Sequence, residues 1–414
     1  MIDIKLIRDN KKEVKHGLEK RGVKPGIIDE IFELDKKIRQ FKQRLDELRS
    51  EMNNKSGKNL SEEDLKLLRH KKGTIKTLEK GLLEYKNDFK EKLLSLPNLP
   101  ASDVKVGRND TENEILETKG EKTKFDFKIK DYLRLAQKLD LIDMERAAKV
   151  SGSRFTYLKG DLVKLQYALL SFGLDFLTKK GFSLIVPPLM IKDKIMKGLG
   201  YIEGLDEKDK YHFKKDGLYL IGTAEQSLIP LHANEILDKK ELPQRYGAFT
   251  PAFRREAGSY GKDTKGILRL HQFDKLEMVS LAEKEKGDQE QIFVFDCAQE
   301  IMNNLKIPYR LVKMCTGDLV FPSARTFDIE TWMPGQNKYR ETHSCSTCTD
   351  FQARRLNIRY RDQNNQTKFV HTINGTALAM GRILVAIIEN FQTSSGSIKV
   401  PKVLQKYCPL KEIK

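Results

Sequence analysis

FRREAGSYGKDTKGILRLHQFDKLE, residues 253–277, sets two arginines and a glutamate behind an apolar run. A glycine-rich segment follows, and then charged and apolar residues in alternation. The spacing predicts two strands joined by a loop. Side chains alternate faces along an extended chain, so Arg254 and Glu256 are expected on one face, and Phe273, Lys275 and Glu277 together on the returning strand. Such a hairpin has two readings. It is either a salt-laced turn, as an isolated Arg-x-Glu usually is, or a grip for an anion. A guanidinium can clamp a phosphate or carboxylate bidentately, the carboxylate beside it can accept from an exocyclic amine, and Arg269 in the loop adds a second cation. The common phosphate loops, G-x-x-x-x-G-K-[ST] and G-x-G-x-x-G after a strand, do not occur in the chain. A nucleotide would therefore be held by side chains.

Outward from the hairpin, short runs rich in Val, Ile, Phe, Tyr and Thr read as strands: residues 218–223, 246–253, 274–281, 325–332 and 368–374. Helices are expected at about 161–179, near 284–304, and at 375–391, the last apolar almost all round and so buried against the sheet. Strand runs with few βαβ alternations indicate an α+β domain with a mostly antiparallel sheet flanked by helices.

The first hundred residues differ. Ile31, Leu34, Ile38, Phe41, Leu45, Leu48 and Met52 recur in steps of three and four, and a second seam runs through Ile75, Leu78, Leu82, Tyr85 and Phe89. Between them lies a polar turn at 53–60. Ser61 and Asp64 then fit a capping box. Two such helices joined by a short turn fold back as an antiparallel coiled-coil arm, about residues 27–96, expected to project into solvent. Lys36, Lys37, Lys42, Lys71, Lys72 and Lys76 lie along the rod. Periodicity alone favours a dimerising coiled coil over a nucleic-acid contact. Pro97, Pro100 and Gly107 mark the linker, giving expected domains at 1–100 and 101–414.

A chain of 414 residues exceeds one compact core and suggests two domains. The net charge of +17, with 33% charged residues, favours polyanionic partners such as nucleic acid or nucleotides, although a lysine-rich composition alone gives the same balance. Five cysteines, Cys297, Cys315, Cys345, Cys348 and Cys408, are too sparse for a disulfide framework and point to a reducing compartment. The opening MIDIKLIRDN carries Asp3 and Asp9 among its apolar residues and reads as neither signal nor transit peptide. No run of about 18 apolar residues occurs. A cytoplasmic protein without a membrane span is expected.

GFSLIVPPLM (181–190), TAEQ (223–226), FRREAGSYG (253–261), RLHQFDKLEM (269–278), PGQNKYRETHSCS (334–346) and NGTALAMGR (374–382), in this order behind the arm, resemble the seryl-tRNA synthetase family of class II aminoacyl-tRNA synthetases. The likeness covers essentially the whole chain. It implies a serine–tRNA ligase: L-serine is activated with ATP to seryl-adenylate, and the seryl group passes to the 3′ end of tRNA(Ser), with tRNA(Sec) a further candidate. The arm would grip the tRNA, and the 181–190 region would form a homodimer.

By the same resemblance Arg254, Arg269 and Arg382 would be catalytic. Thr223, Ala224, Glu225, Arg254, Glu277, Asn374 and Thr376 would bind serine, with Thr223 and Glu225 on its ammonium and Glu277 and Thr376 on its hydroxyl. Arg254, Arg255, Glu256, Arg269, Leu270, Phe273, Glu341, Thr342, His343, Ser344 and Arg382 would bind ATP, with Glu256 on the adenine amine and Phe273 stacked on the ring. Glu341 and Ser344 would hold Mg2+ with ATP. The chain departs from the family at Thr342 and His343, where a small hydrophobic residue and serine are common, and at Thr376, where serine is frequent. His343 could tune the magnesium site.

Taken singly, these residues have blander readings: Glu277 a solvated face, Phe273 core, Arg254 with Glu256 a surface pair. The ordered set reverses them. Cys345 and Cys348 have C-x-x-C spacing, with His343 and His371 nearby in sequence, but no second C-x-x-C follows and zinc is not expected. Two other functions stand beside the ligase: a relative that charges a carrier protein, which would not need the basic arm, and an inactive nucleic-acid-binding paralogue, which would not need Arg254, Glu256, Glu341 and Arg382. No editing domain is expected.

Overall fold

The computed structural model describes residues 1–54, 61–202, 204–257 and 266–414. The polar turn expected at 53–60, beyond Asn54, and the glycine-rich stretch 258–265 lie outside the described residues. The chain divides into two compact units, Met1–Leu99 and Pro100–Lys414.

In the first unit, two short helices that the seam pattern did not reveal, α1 (Ile4–Asp9) and α2 (Lys11–Glu19), precede α3 (Gly26–Asn53) and α4 (Glu62–Leu94). Helices α3 and α4 pair through the expected seams: Ile38, Leu45 and Leu82 are buried, with Phe41, Ile75, Leu78, Tyr85 and Phe89 packed against them. The 28 residues of α3 span about 42 Å at 1.5 Å per residue. Ser61 opens α4 with a capping box: its Oγ accepts from Asp64 N at 3.2 Å, and Asp64 Oδ2 accepts from Ser61 N at 3.3 Å. Cross-pairs Arg49–Glu79, Lys71–Glu51 and Lys92–Glu30 fix the antiparallel register. Gly81 makes room for Phe41, whose ring would stand 3.0 Å from a Cβ there.

The second unit is built on an eight-stranded sheet: β1 (Glu114–Lys119), β2 (Ser183–Leu184), β3 (Gln244–Phe253), β4 (Gln272–Ala282), β5 (Tyr309–Lys313), β6 (Arg325–Met333), β7 (Lys338–Thr347) and β8 (His371–Ala379), in spatial order β1-β5-β6-β7-β8-β4-β3-β2. Every pairing is antiparallel except β2 with β3. Helices α5 (Asp161–Lys179), α6 (Asp193–Leu199), α7 (Glu225–Leu228), α8 (Gly287–Leu305) and α9 (Met380–Asn390) surround it. The even residues Leu276 and Met278 of β4 join the main core with α5, α8 and α9, whereas Val279 and Leu281 join a second cluster with Ile221, Ala248 and Tyr246. Gly375 lies under Val294, where a Cβ would come within 2.6 Å of its Cγ1, so a bare backbone lets α8 seat on β8.

Two expectations need correction. The helix expected at 375–391 begins only at Met380: Gly375–Ala379 continue β8, whose ladder with β4 is central to the sheet. The strand expected at 368–374 is two strands in different sheets, Thr367–Phe369 and β8. Among the described residues no helix is long and apolar enough to cross a membrane.

Candidate active site

On the sheet face opposite the main core lies a cavity of about 550 Å³, within the usual range for small-ligand sites. It is lined by Thr223, Glu225, Arg254, Glu256, Arg269, Leu270, Phe273, Glu277, Glu341, Thr342, Ser344, Asn374, Thr376 and Arg382. Fourteen residues singled out from the sequence thus converge here, from five separate segments. Three others do not line it. Ala224 is fully buried in the second cluster. Arg255 turns aside onto the Tyr211 ring, 5.0 Å from its centroid. His343 is buried between Thr342 Oγ1 and the carbonyl of Ala377, 2.9 and 3.1 Å away.

The parity argument for Arg254 and Glu256 fails in detail. Strand β3 ends at Phe253, and Glu256 has φ +53. The two side chains reach one cavity because the chain leaves the strand and turns, and they do not pair with each other. Arg254 Nε donates to the carbonyl of Gly222 at 3.2 Å, and its guanidinium lies 5.3 Å from the Phe273 ring centroid. Glu256 instead accepts from Arg269 Nη1 at 2.5 Å. On β4 the alternation does hold: Phe273, Lys275 and Glu277 all face the cavity.

Two bulges set the remaining lining. Pairing of β4 with β8 jumps from Leu276–Leu378 to Glu277–Thr376, leaving Ala377 as the extra residue. Thr376 thereby stands directly across from Glu277. Pairing of β6 with β7 jumps from Ile329–His343 to Glu330–Glu341, so that Thr342 is extra and both Glu341 and Thr342 line the cavity. The same parity sends His343 into the core. There burial lowers its pKa to about 4, and the ring stays neutral near pH 7, held between the cavity-lining Thr342 and the Ala377 carbonyl.

The cavity holds both acids and cations. Glu225 and Glu277 are 6% and 1% exposed. Burial raises the Glu277 carboxyl to about 7, with the charge of Glu225 adding to it, although Lys275 Nζ stands 2.6 Å away. Thr223 Oγ1 is buried here with no hydrogen-bond partner among the described residues. Its arginines are Arg254, Arg269 and Arg382. Arg382 binds Glu341 through both its carboxylate, 3.1 Å, and its carbonyl, 2.9 Å. Burial would push the Glu341 carboxyl up, but Arg382 and Arg254 outweigh it and hold it low. Arg269 Nε is likewise buried without a partner among the described residues. Orphaned donors of this kind are what a site awaiting a polar ligand leaves.

Glu341 and Ser344 offer the hard oxygen donors that suit a divalent cation. Asp328, across the ladder from Ser344, is 5% exposed and has an Oδ1 without a hydrogen-bond partner among the described residues; burial raises its pKa, and the charge of Glu341 adds to that. No group of three or more His, Cys, Asp or Glu among the described residues could hold a metal, so a cation here would need ligand oxygens to complete its shell. Cys345 and Cys348 form no disulfide and are buried, and burial raises both pKa values. The Cys345 thiol faces the carbonyl of Gln291 at 3.6 Å. Sequence reasoning left Tyr201, Asp209, Lys210 and Ser346 out of the lining. The first three come from an irregular segment with no periodicity to expose them.

Comparison with known proteins gives a concordant picture. Residues 1–100 match the model of the seryl-tRNA synthetase N-terminal domain, and residues 211–391 that of the tRNA synthetase class II core domain (G, H, P, S and T). The chain is 42% identical to the serine–tRNA ligase of Pseudothermotoga lettingae, and equally to that of Nitrosopumilus maritimus, over 98% of both chains in each case. Among solved structures, the seryl-tRNA synthetase of Pyrococcus horikoshii complexed with ATP matches with TM-score 0.94 and 41% identity, covering 100% of this chain and 99% of that one. The cytoplasmic serine–tRNA ligase of Naegleria fowleri in complex with AMP gives 0.91 and 32%, with the same coverage.

Proposed function

The chain belongs to the seryl-tRNA synthetase family, and from that premise we propose that the cavity condenses L-serine with ATP to seryl-adenylate and then passes the seryl group to the 3′ end of tRNA(Ser). The observation that carries the reading is the convergence in one cavity of buried carboxylates and hydroxyls, Glu225, Glu277, Thr223 and Thr376, with the arginines Arg254, Arg269 and Arg382, alongside Lys275 and Phe273 of β4. Adenylation brings a carboxylate onto the α-phosphorus and leaves pyrophosphate. Two anions must meet, so cations supply most of the stabilisation and no covalent nucleophile on the protein is needed. Arg254 would hold the α-phosphate and the serine carboxylate, Arg269 and Arg382 the pyrophosphate, Glu256 the adenine amine, and Phe273 the ring face. Mg2+ bound at Glu341 and Ser344 with ATP oxygens would neutralise charge on the leaving pyrophosphate.

Serine selection follows from the cross-strand pair Glu277–Thr376. Both groups would bond the substrate hydroxyl, and alanine would leave them buried and unpaired. Sites of that construction discriminate by about 10⁴–10⁵. Glu225 and Thr223 Oγ1 would take the ammonium. The α3–α4 hairpin, with exposed Lys36, Lys37, Lys42, Lys72 and Lys76, would hold the tRNA body through phosphates. The 181–190 region, where Val186 is 95% exposed, would form a homodimer.

Serine-dependent ATP–pyrophosphate exchange together with charging of tRNA tests the reading. Both activities are expected. Exchange without tRNA charging would favour transfer to a carrier protein. Absence of both, in folded protein, would leave a nucleic-acid-binding paralogue.

A further inference from the structure

We propose that Tyr201 is a positioning residue that orients the Glu225 carboxylate toward the ammonium of the amino acid substrate. The inference rests on the reading of Glu225 given above and adds a residue to it. Tyr201 follows the C-terminus of α6. There Gly200, at φ +84, takes the left-handed turn that ends the helix, packed so closely that a Cβ would lie 3.2 Å from Phe321 and 3.4 Å from Phe351. The same helix end is pinned from behind. Gln352 Nε2 donates to the carbonyl of Leu199 at 3.2 Å, and Gln352 Oε1 accepts from Thr372 Oγ1 at 2.7 Å. The backbone that carries Tyr201 is thus fixed by a buried chain of contacts rather than by the loop that follows it.

From that anchor the ring enters the cavity lining, and its hydroxyl donates to Glu225 Oε1. Burial, reinforced by the charge of Glu225, drives the phenol pKa well above its ordinary value, so the hydroxyl remains a donor at every working pH. Lys210, 9% exposed, stands 6.0 Å from the ring centroid on the same wall. Glu225 itself sits at the start of the four-residue helix α7, too short to hold a long flexible carboxylate by backbone alone. With one oxygen engaged by Tyr201, the other is left to an incoming ammonium. Without the hydroxyl, Glu225 Oε1 loses this bond, and the carboxylate is no longer held in one orientation.

The test is Tyr201→Phe, which removes only the hydroxyl, assayed by pyrophosphate exchange beside Glu225→Gln and the double variant. The expected result is a serine KM raised about tenfold, as loss of a hydrogen bond to a charged group allows, with kcat, ATP KM and Tm near wild type. The double variant should be no worse than Glu225→Gln. Wild-type serine KM in Tyr201→Phe while Glu225→Gln is impaired would overturn the inference and leave the Glu225 reading standing. Wild-type serine KM in Glu225→Gln would overturn both. Effects that multiply in the double variant, equal rises in serine and ATP KM, or a lowered Tm would make Tyr201 a packing residue and also overturn the proposal.

Discussion

Replacing Glu277 by glutamine should stabilise the catalytic unit, and more so as pH rises. Glu277 is 1% exposed, and burial lifts its pKa from the ordinary 4.5 to about 7. An acid whose folded pKa is raised binds its proton more tightly in the native state. Ionising it therefore costs stability, a cost absent below the unfolded pKa and complete above the folded one. At about 1.36 kcal/mol per pKa unit, the full cost is roughly 3 kcal/mol, of which about 2.5 falls between pH 5 and pH 8. Glutamine keeps the shape of the protonated acid and escapes this cost. The Lys275 attraction is already contained in the shifted value. For a unit of roughly 300 residues with an unfolding entropy of about 2.1 cal/mol/K per residue, 2.5 kcal/mol is about 4 °C in Tm. The assay is thermal unfolding of both proteins at fixed scan rate from pH 5 to pH 8, read as the difference between them. The difference matters because His343, its pKa lowered by burial to about 4, works in the opposite sense. A depressed histidine contributes stability above about 6.5 that is lost as pH falls toward 4, and this cancels between the two proteins. A gap that stays constant to within about 1 °C across the range would refute the claim that burial raises the Glu277 pKa. The same variant should use serine poorly, the usual trade where a site stores destabilised charge.

Arg254→Ala should lose roughly 10²–10³ in pyrophosphate-exchange rate with unchanged Tm; near-normal exchange would reduce Arg254 to a partner of the Gly222 carbonyl. Glu277→Ala should leave ATP binding intact while raising serine KM and weakening rejection of alanine, and wild-type discrimination would remove Glu277 from the serine site. Deleting residues 31–95 across a short flexible linker should spare exchange, since every cavity residue lies in the Pro100–Lys414 unit. It should collapse tRNA charging and flatten the salt dependence of tRNA affinity; charging that persists undiminished would return the hairpin to a dimerising role.

How much of this the sequence disclosed depended on periodicity. The seams of α3 and α4 and the Ser61–Asp64 cap were legible because a helix repeats its apolar face every three or four residues and a capping box has fixed spacing. Helices α1 and α2, of six and nine residues, are too short to repeat anything. Strand β4 alternates cleanly, and its three cavity residues followed from parity. On β7 and β8 parity breaks at Thr342 and Ala377, because a bulge flips every side chain beyond it and is set by the partner strand rather than by the local sequence. That is why no local pattern showed His343 to be buried behind the lining; its assignment to the nucleotide came from the family resemblance. The helix start was misplaced by five residues for a related reason. Thr376, Ala377, Leu378 and Ala379 suit either state, and the ladder to β4 decides between them. Tyr201 belongs to no periodic element and became visible only through its contact with Glu225.

The charges of the cavity explain why so much of the set was nonetheless recognisable as a set. Lys275 faces Glu277, Arg269 faces Glu256 and Arg382 faces Glu341, at 2.6, 2.5 and 3.1 Å. Each cation is thus matched inside the protein by an acid that the proposed chemistry also needs. A buried charge without a partner is costly, so a cavity proposed to receive two anions sets three of its cations beside acids. It pairs them with the carboxylates proposed to read adenine, serine and metal. Ligand binding then exchanges partners rather than creating charges, which keeps the reorganisation small. Arg254 stands apart. Among the described residues it forms no ion pair, resting on a carbonyl and an aromatic face instead. It is the guanidinium free to take up a phosphate without first releasing an acid. On this reasoning its removal should cost more in the adenylation rate than removal of Arg269 or Arg382, whose charge the protein already compensates.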